Sequence, residues 1–138
     1  MDTELNNPAV VAEVRALFET YEAALVTRDM AVLDATFWNS PHTIRYSVTQ
    51  CGYGFDAIHA DRLAIMPPPG GSKEKRIRLE ILTIGQDLAT VNIEYKQRGL
   101  DQVGRQSQTW FRFPDLGWKV ISAHVSLMPP GTGGPIPA

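Results

Sequence analysis

The stretches RIRLEI (residues 76–81) and VNIEY (residues 91–95) decide the fold, because apolar and polar residues alternate along both. Ile77, Leu79 and Ile81 alternate with Arg78 and Glu80, and Val91, Ile93 and Tyr95 alternate with Asn92 and Glu94. A period of two marks a strand with one face in a core and one in water. Residues 104–113 and 118–127 read as two further strands, joined by Pro114, Asp115, Leu116 and Gly117 as a hairpin connection. Four antiparallel strands are therefore expected in the second half of the chain.

Upstream the period changes to that of a helix. Asn7 can cap a helix whose first position is Pro8, where the missing N–H costs nothing. Val10, Val14, Leu17, Phe18, Tyr21 and Leu25 then recur three and four residues apart, a stripe that continues to about Arg28. Asp29 can cap a second, shorter helix through Met30, Leu33, Phe37 and Trp38, stopped at Asn39, Ser40 and Pro41. Residues 43–48 look extended, Gly52 and Gly54 supply a turn or bulge, and residues 56–65 return to helical spacing through Ile58, Leu63 and Ile65. The Pro- and Gly-rich loop 67–74 is expected to be exposed and mobile and to flank a pocket mouth.

A chain of 138 residues has the size of one domain. We expect order over about 6–128 and a flexible tail over 129–138. The 13 basic and 15 acidic residues are mixed along the chain, and without a basic stripe no nucleic-acid partner is expected. Nor does the chain contain the roughly 18 consecutive apolar residues of a membrane span. MDTELNN lacks the basic start and apolar core of a secretion signal, so the reading is cytoplasmic. The lone Cys51 reads as a small, partly buried hydrophobe, and His42, His59 and His124 lack metal-ligand spacing. With GxGxxG, GxxxxGK[ST], GxSxG and HExxH all absent, no cofactor and no metal are expected.

Helices followed by a run of strands give an α+β domain, its three N-terminal helices packed on one face of a curved, mostly antiparallel sheet. The element order resembles the NTF2-like or SnoaL-like cone, which leaves a cavity between helices and concave sheet. GRQSQTWFR (residues 104–112) and GWKVISAHVSLMPPG (residues 117–131) resemble the C-terminal half of AtzH-like proteins, a family that includes HpxZ-like members. NNPAVVAEVRALFETYEAALVTRD (residues 6–29), FWNSPHTIRYSV (residues 37–48) and the segment 54–62 extend that resemblance over nearly the whole chain. The resemblance implies a role in the breakdown of nitrogen-rich ring products, on a small anionic ureido acid. For AtzH-like proteins that means decarboxylation of 1,3-dicarboxyurea to allophanate, and for HpxZ-like members a step near oxalurate.

In TIRYSV, Arg45 shares a strand face with Thr43 and Ser47, opposite Ile44, Tyr46 and Val48. If that face lines the cavity, its guanidinium offers a bidentate grip on a carboxylate; otherwise it is an exposed or structurally paired arginine. Tyr21 lies on the apolar stripe of the first helix, where a buried hydroxyl needs a partner, in the core or on a ligand. The resemblance implies that Tyr21 and Arg45 work together as the catalytic pair. Further candidates for the substrate pocket are His124 with Ser122 and Ser126, and Arg105 and Ser107 with Thr109. Trp38 could wall the cavity and Arg62 could be a second anion anchor, each with an ordinary packing or surface role as the alternative.

For an N-carboxylated urea, loss of carbon dioxide breaks an N–C bond and calls for a proton on the departing nitrogen. Arg45 would anchor a carboxylate and favour the ionised form of a neighbouring phenol, letting Tyr21 exchange that proton. A noncatalytic anion-binding or accessory protein is the alternative, since this fold hosts both. An isomerase, cyclase or hydrolase would need a carboxylate base, for which Asp34 and Asp56 are the candidates. The apolar series Ile121, Ala123, Val125 and Leu127 reads as an outer face that invites a second copy, so a homodimer or larger homo-oligomer is expected.

Overall fold

The computed structural model describes every residue except Met66 and Ala138. The first helix, α1 (Pro8–Thr27), begins where the sequence places it. Asn7 Oδ1 accepts from the N–H groups of Ala9 at 3.0 Å and Val10 at 3.4 Å, satisfying donors that the first turn leaves unpaired. Arg28 closes the helix in a left-handed conformation, and the Asp29 N–H reaches back to the Ala24 carbonyl at 2.9 Å. Asp29 then caps α2 (Met30–Thr36) by accepting from the Val32 N–H at 3.3 Å. This helix stops at Thr36, before Phe37 and Trp38. Phe37 instead bridges to Val120, and the Trp38 N–H donates to the Val120 carbonyl at 3.0 Å.

Two short strands, β1 (Ile44–Tyr46) and β2 (Cys51–Tyr53), precede α3 (Phe55–Ala64). Four long strands follow: β3 (Lys73–Ile84), β4 (Leu88–Gln97), β5 (Val103–Phe113) and β6 (Gly117–Leu127). Together they make one six-stranded sheet in the order β2-β1-β6-β5-β4-β3. Every neighbouring pair is antiparallel except β1 and β6, which run parallel and so make the sheet mixed. The three helices cover its concave face, which is the expected cone. Among the described tail residues, 129–137, there is no helix or strand, and the last residue of the expected tail, Ala138, lies outside the described residues.

The core lies between α1 and the inner rows of β4, β5 and β6. Val14 and Phe18 are completely buried, with Val10, Tyr21 and Ala24 continuing the same stripe. Each such large apolar side chain contributes about 1.5–3 kcal/mol relative to an exposed one. Leu17, expected on the stripe, is 40% exposed. On β4 the inner row is Ala89, Val91, Ile93 and Tyr95, as the alternation predicts.

Two register shifts alter the expected faces. On β3 a shift between Arg76 and Arg78 turns Arg76 toward α1, where it lies 2.8 Å from Glu19 and over the Phe18 ring. On β6 a shift opposite Thr109 and Trp110 inserts one extra residue, so Val120 and Ala123, three apart, are both buried. The series Ala123, Val125 and Leu127 therefore faces inward, where it lines a cavity, and is not the outer face expected to receive a second copy. In α3 the buried residues are Ile58 and Arg62, one helical turn apart, whereas Leu63 and Ile65 are 55% and 46% exposed. Cys51 is exposed on β2, not tucked into the core. No helix among the described residues is long and apolar enough to cross a membrane.

Candidate active site

A cavity of about 310 Å³ opens between the helices and the inner face of the sheet. Tyr21 and Leu25 of α1, Arg62 of α3, Arg45 and Ser47 of the first sheet segment and Gln108 of β5 line its walls. Period-two geometry accounts for Arg45: Thr43 is fully buried on the same face, and Ser47 continues that face along the wall. The position opposite Arg45 on β2 is Gly52, and Ile58 and the Asp61 carboxylate pack over the space that a side chain there would occupy. Glycine at this point lets α3 approach the sheet and brings Asp61 beside Arg45.

The charged groups of the cavity differ in how they are held. Arg62 is only 7% exposed, and its Nη2 donates to the Tyr21 hydroxyl oxygen at 3.1 Å. Its guanidinium also lies 4.7 Å from the Phe37 ring centre and 5.5 Å from that of Tyr21. Arg28 is committed to the end of α3, donating to the carbonyls of Arg62 at 2.8 Å and Leu63 at 3.2 Å. Lys73 Nζ sits 3.3 Å from Glu22. Arg45, by contrast, makes no hydrogen bond or ion pair among the described residues. Burial pulls its guanidinium below the ordinary arginine value and the nearby Arg62 charge adds to this, while Tyr21 and Asp61 oppose. Arginine starts so far above neutrality that the charge is kept. Arg45 is thus a desolvated cation with its donors unspent, next to a phenol whose oxygen already accepts from Arg62. With that lone pair occupied, the Tyr21 O–H is left to donate elsewhere.

Not all the candidate residues meet here. Tyr21, Arg45 and Arg62 converge on the cavity. Arg105, Ser107 and His124 do not: they lie on the outer face of the sheet, where Ser107 Oγ is 2.6 Å from Asn92 Oδ1 and His124 packs edge-on to Tyr46. The cause is the register, which sets Gln106 opposite Ile93 and Gln108 opposite Val91 on the buried row and turns Arg105 and Ser107 outward. Ser122, on the exposed row of β6, follows His124. Trp38 stacks on Phe113 at 4.9 Å and walls no part of the cavity. Asp34 is held 2.9 Å from His59, and Asp56 lies in the first turn of α3; the carboxylate that lines the cavity is Asp61. Sequence reading overlooked Asp61, Gln106, Gln108 and Tyr95. Adding the inner row of β4 to the candidate strand β5 would have pointed to the two glutamines. No cluster of three metal-ligating side chains occurs among the described residues.

A profile of the AtzH-like family matches residues 3–131. The chain belongs to the AtzH-like family. This AtzH-like chain is similar to a cystatin-like fold protein from Burkholderia xenovorans LB400, with 43% identity over 92% of this chain and 99% of that one, at a TM-score of 0.86. It is also similar to a protein of unknown function from Pectobacterium atrosepticum SCRI1043, with 41% identity over 91% and 95% of the two chains and a TM-score of 0.84. An NTF2-like protein of unknown function from Pseudomonas putida KT2440, at 21% identity, 86% coverage of both chains and a TM-score of 0.72, shares the fold. Proteins of curated function give no match.

Proposed function

We propose that this AtzH-like protein is a small cofactor-independent enzyme that acts on a urea-derived carboxylate, by decarboxylating 1,3-dicarboxyurea to allophanate or in a related step on oxalurate chemistry. The observation that carries the reading is the presence, in one cavity, of the uncommitted Arg45 guanidinium and a Tyr21 hydroxyl whose oxygen is held by Arg62. A carboxylate entering a cavity of this size meets Arg45 first as a bidentate partner. Exclusion of water strengthens that contact and holds the ligand against Tyr21.

In the reaction the bond between nitrogen and the departing carboxylate carbon breaks, and its electron pair stays on nitrogen. Carbon dioxide leaves, and nitrogen takes the Tyr21 proton. The phenolate formed is stabilised by the Arg62 N–H that already points at its oxygen and by the Arg45 charge, and water reprotonates it between turnovers. The cations thus act where negative charge appears, which is the condition for lowering a barrier and not merely binding substrate.

The test is release of carbon dioxide and allophanate from 1,3-dicarboxyurea by purified protein. Tyr21→Phe is expected to lower the rate by about a hundredfold or more while the ligand still binds. Arg45→Lys, which keeps the charge but loses the fork, is expected to raise KM and lower kcat. Wild-type rates in both variants would refute the assignment. Undiminished calorimetric binding with no turnover in the wild type would instead make the protein a carrier.

A further inference from the structure

The inner face of the sheet places a second kind of recognition group across from Arg45. Arg45 on β1 pairs with Ala123 on β6, and Ala123 in turn pairs with Gln108 on β5. With neighbouring strands about 4.8 Å apart, the backbones of Arg45 and Gln108 are separated by about 10 Å. The residue between them, Ala123, carries only a methyl group and lines the same cavity. A small molecule resting over Ala123 therefore has a guanidinium at one end and amides at the other.

The two amides are buried without being used up. Gln108 accepts from Trp110 Nε1 at 3.1 Å through its oxygen, which leaves its two N–H donors to offer. Gln106 is 4% exposed, and its amide nitrogen has no hydrogen-bond partner among the described residues. Its cross-strand neighbours, Ile93 and Val125, are apolar and can supply none. A buried amide in this condition is a standing cost to the folded protein and calls for an explanation. A ligand that brings its own carbonyl and N–H groups satisfies it.

We infer that Gln106 and Gln108 are specificity-determining residues that recognise the neutral amide or ureido portion of the ligand, while Arg45 holds its carboxylate. This rests on the carboxylate-binding reading above and refines it. An amide side chain pairs with another amide as donor and acceptor at once, whereas a carboxylate only accepts. The cavity then selects acids that carry an amide over plain di-acids of equal length, because a ligand lacking the amide leaves buried polar groups unpaired.

The experiment is calorimetric titration of wild type and Gln106→Met with N-carbamoylglycine and with succinate, together with melting curves of both ligand-free proteins. Gln106→Met is expected to weaken N-carbamoylglycine about tenfold and succinate less than twofold. It is also expected to melt no lower than wild type, since an unpaired polar group is replaced by an apolar one of similar length. A glutamine kept for structure alone would give a lower melting temperature and no discrimination between the acids, which overturns the inference. Unchanged binding of N-carbamoylglycine overturns it too, leaving the carboxylate reading intact. If wild type takes up neither acid, the carboxylate reading and this inference fall together. Should Gln106→Met not fold, Ala123→Val covers the floor between the two ends and is expected to weaken N-carbamoylglycine more than succinate; equal effects overturn the inference.

Discussion

Arg62 Nη2 donates to the Tyr21 hydroxyl oxygen at 3.1 Å, joining α3 to α1 inside the cavity by two residues that are each almost wholly buried. The contact does two things. It satisfies a phenol that would otherwise sit unpartnered on an apolar helix face, and it directs a positive charge at the oxygen that must carry negative charge during proton transfer.

Replacing Arg62 therefore separates chemistry from packing. Arg62→Met keeps most of the aliphatic stem against Phe37 but removes the donor and the charge. The expected result is a fall in kcat of at least tenfold, with stability lowered by about 1–3 kcal/mol for the unpaired buried hydroxyl. Arg62→Lys should recover part of the stability and less of the rate. Steady-state kinetics beside urea denaturation of the same preparations distinguishes the two effects.

Asp61 brings a prediction of opposite sign. It lines the cavity over Gly52 and its charge acts on Arg45, so an incoming carboxylate feels it as a like charge. Asp61→Asn is expected to tighten the binding of small carboxylates severalfold, and the gain should shrink as salt rises. Titration of succinate at two ionic strengths checks it; weaker binding in Asp61→Asn would mean that Asp61 positions Arg45 more than it repels the ligand.

Gly104 shapes the cavity indirectly. It pairs with Tyr95 across β4 and β5, and a Cβ built at Gly104 would run into the Tyr95 ring. Gly104→Ala must push that ring from its place toward the open cavity. The expected cost is about 1–3 kcal/mol of stability, as for other overpacked sites, together with weaker ligand binding. The double variant Gly104→Ala, Tyr95→Leu should regain most of the stability, since a shorter side chain vacates the contested space. Melting curves of the wild type, Gly104→Ala, Tyr95→Leu and the double variant test the coupling.

What could be read from the residues was whatever depends on local pattern. Asn7, Pro8 and Asp29 announce helix starts because capping needs only neighbours in the chain, and they cap α1 and α2. Alternation within six residues put Arg45 on one strand face with Thr43 and Ser47, the face that lines the cavity. The misread strand faces depend on long-range pairing. Along GRQSQTW both rows of β5 are polar, so polarity cannot say which one is buried; only the pairing of Gln106 and Gln108 with Ile93 and Val91 decides it. The extra residue on β6 inverts the phase between Val120 and Ala123, an event with no local signature. Arg62 is buried because it follows Ile58 by one helical turn, a relation overridden in the sequence reading by the more apolar Leu63 and Ile65.

Tyr95 supplies a pH prediction. Burial, with the Glu22 carboxylate adding to it, pushes its hydroxyl up to about 12, from an ordinary value of about 10. The folded state thus holds the phenolic proton more tightly than the unfolded chain does. The stability this confers is fully present below about pH 10 and is lost as pH rises through about 12, because the unfolded chain ionises first. The full loss amounts to about 3 kcal/mol, of which about 2 is reached by pH 12. Tyr95→Phe has no proton to lose and should show a correspondingly flatter decline between pH 10 and 12. Lys73, which lies 5.3 Å from the Tyr95 ring centre, is present in both proteins. Urea denaturation of the pair at intervals from pH 8 to 12 measures it, and parallel stability curves would show that the Tyr95 hydroxyl ionises as freely in the folded protein as in the unfolded chain.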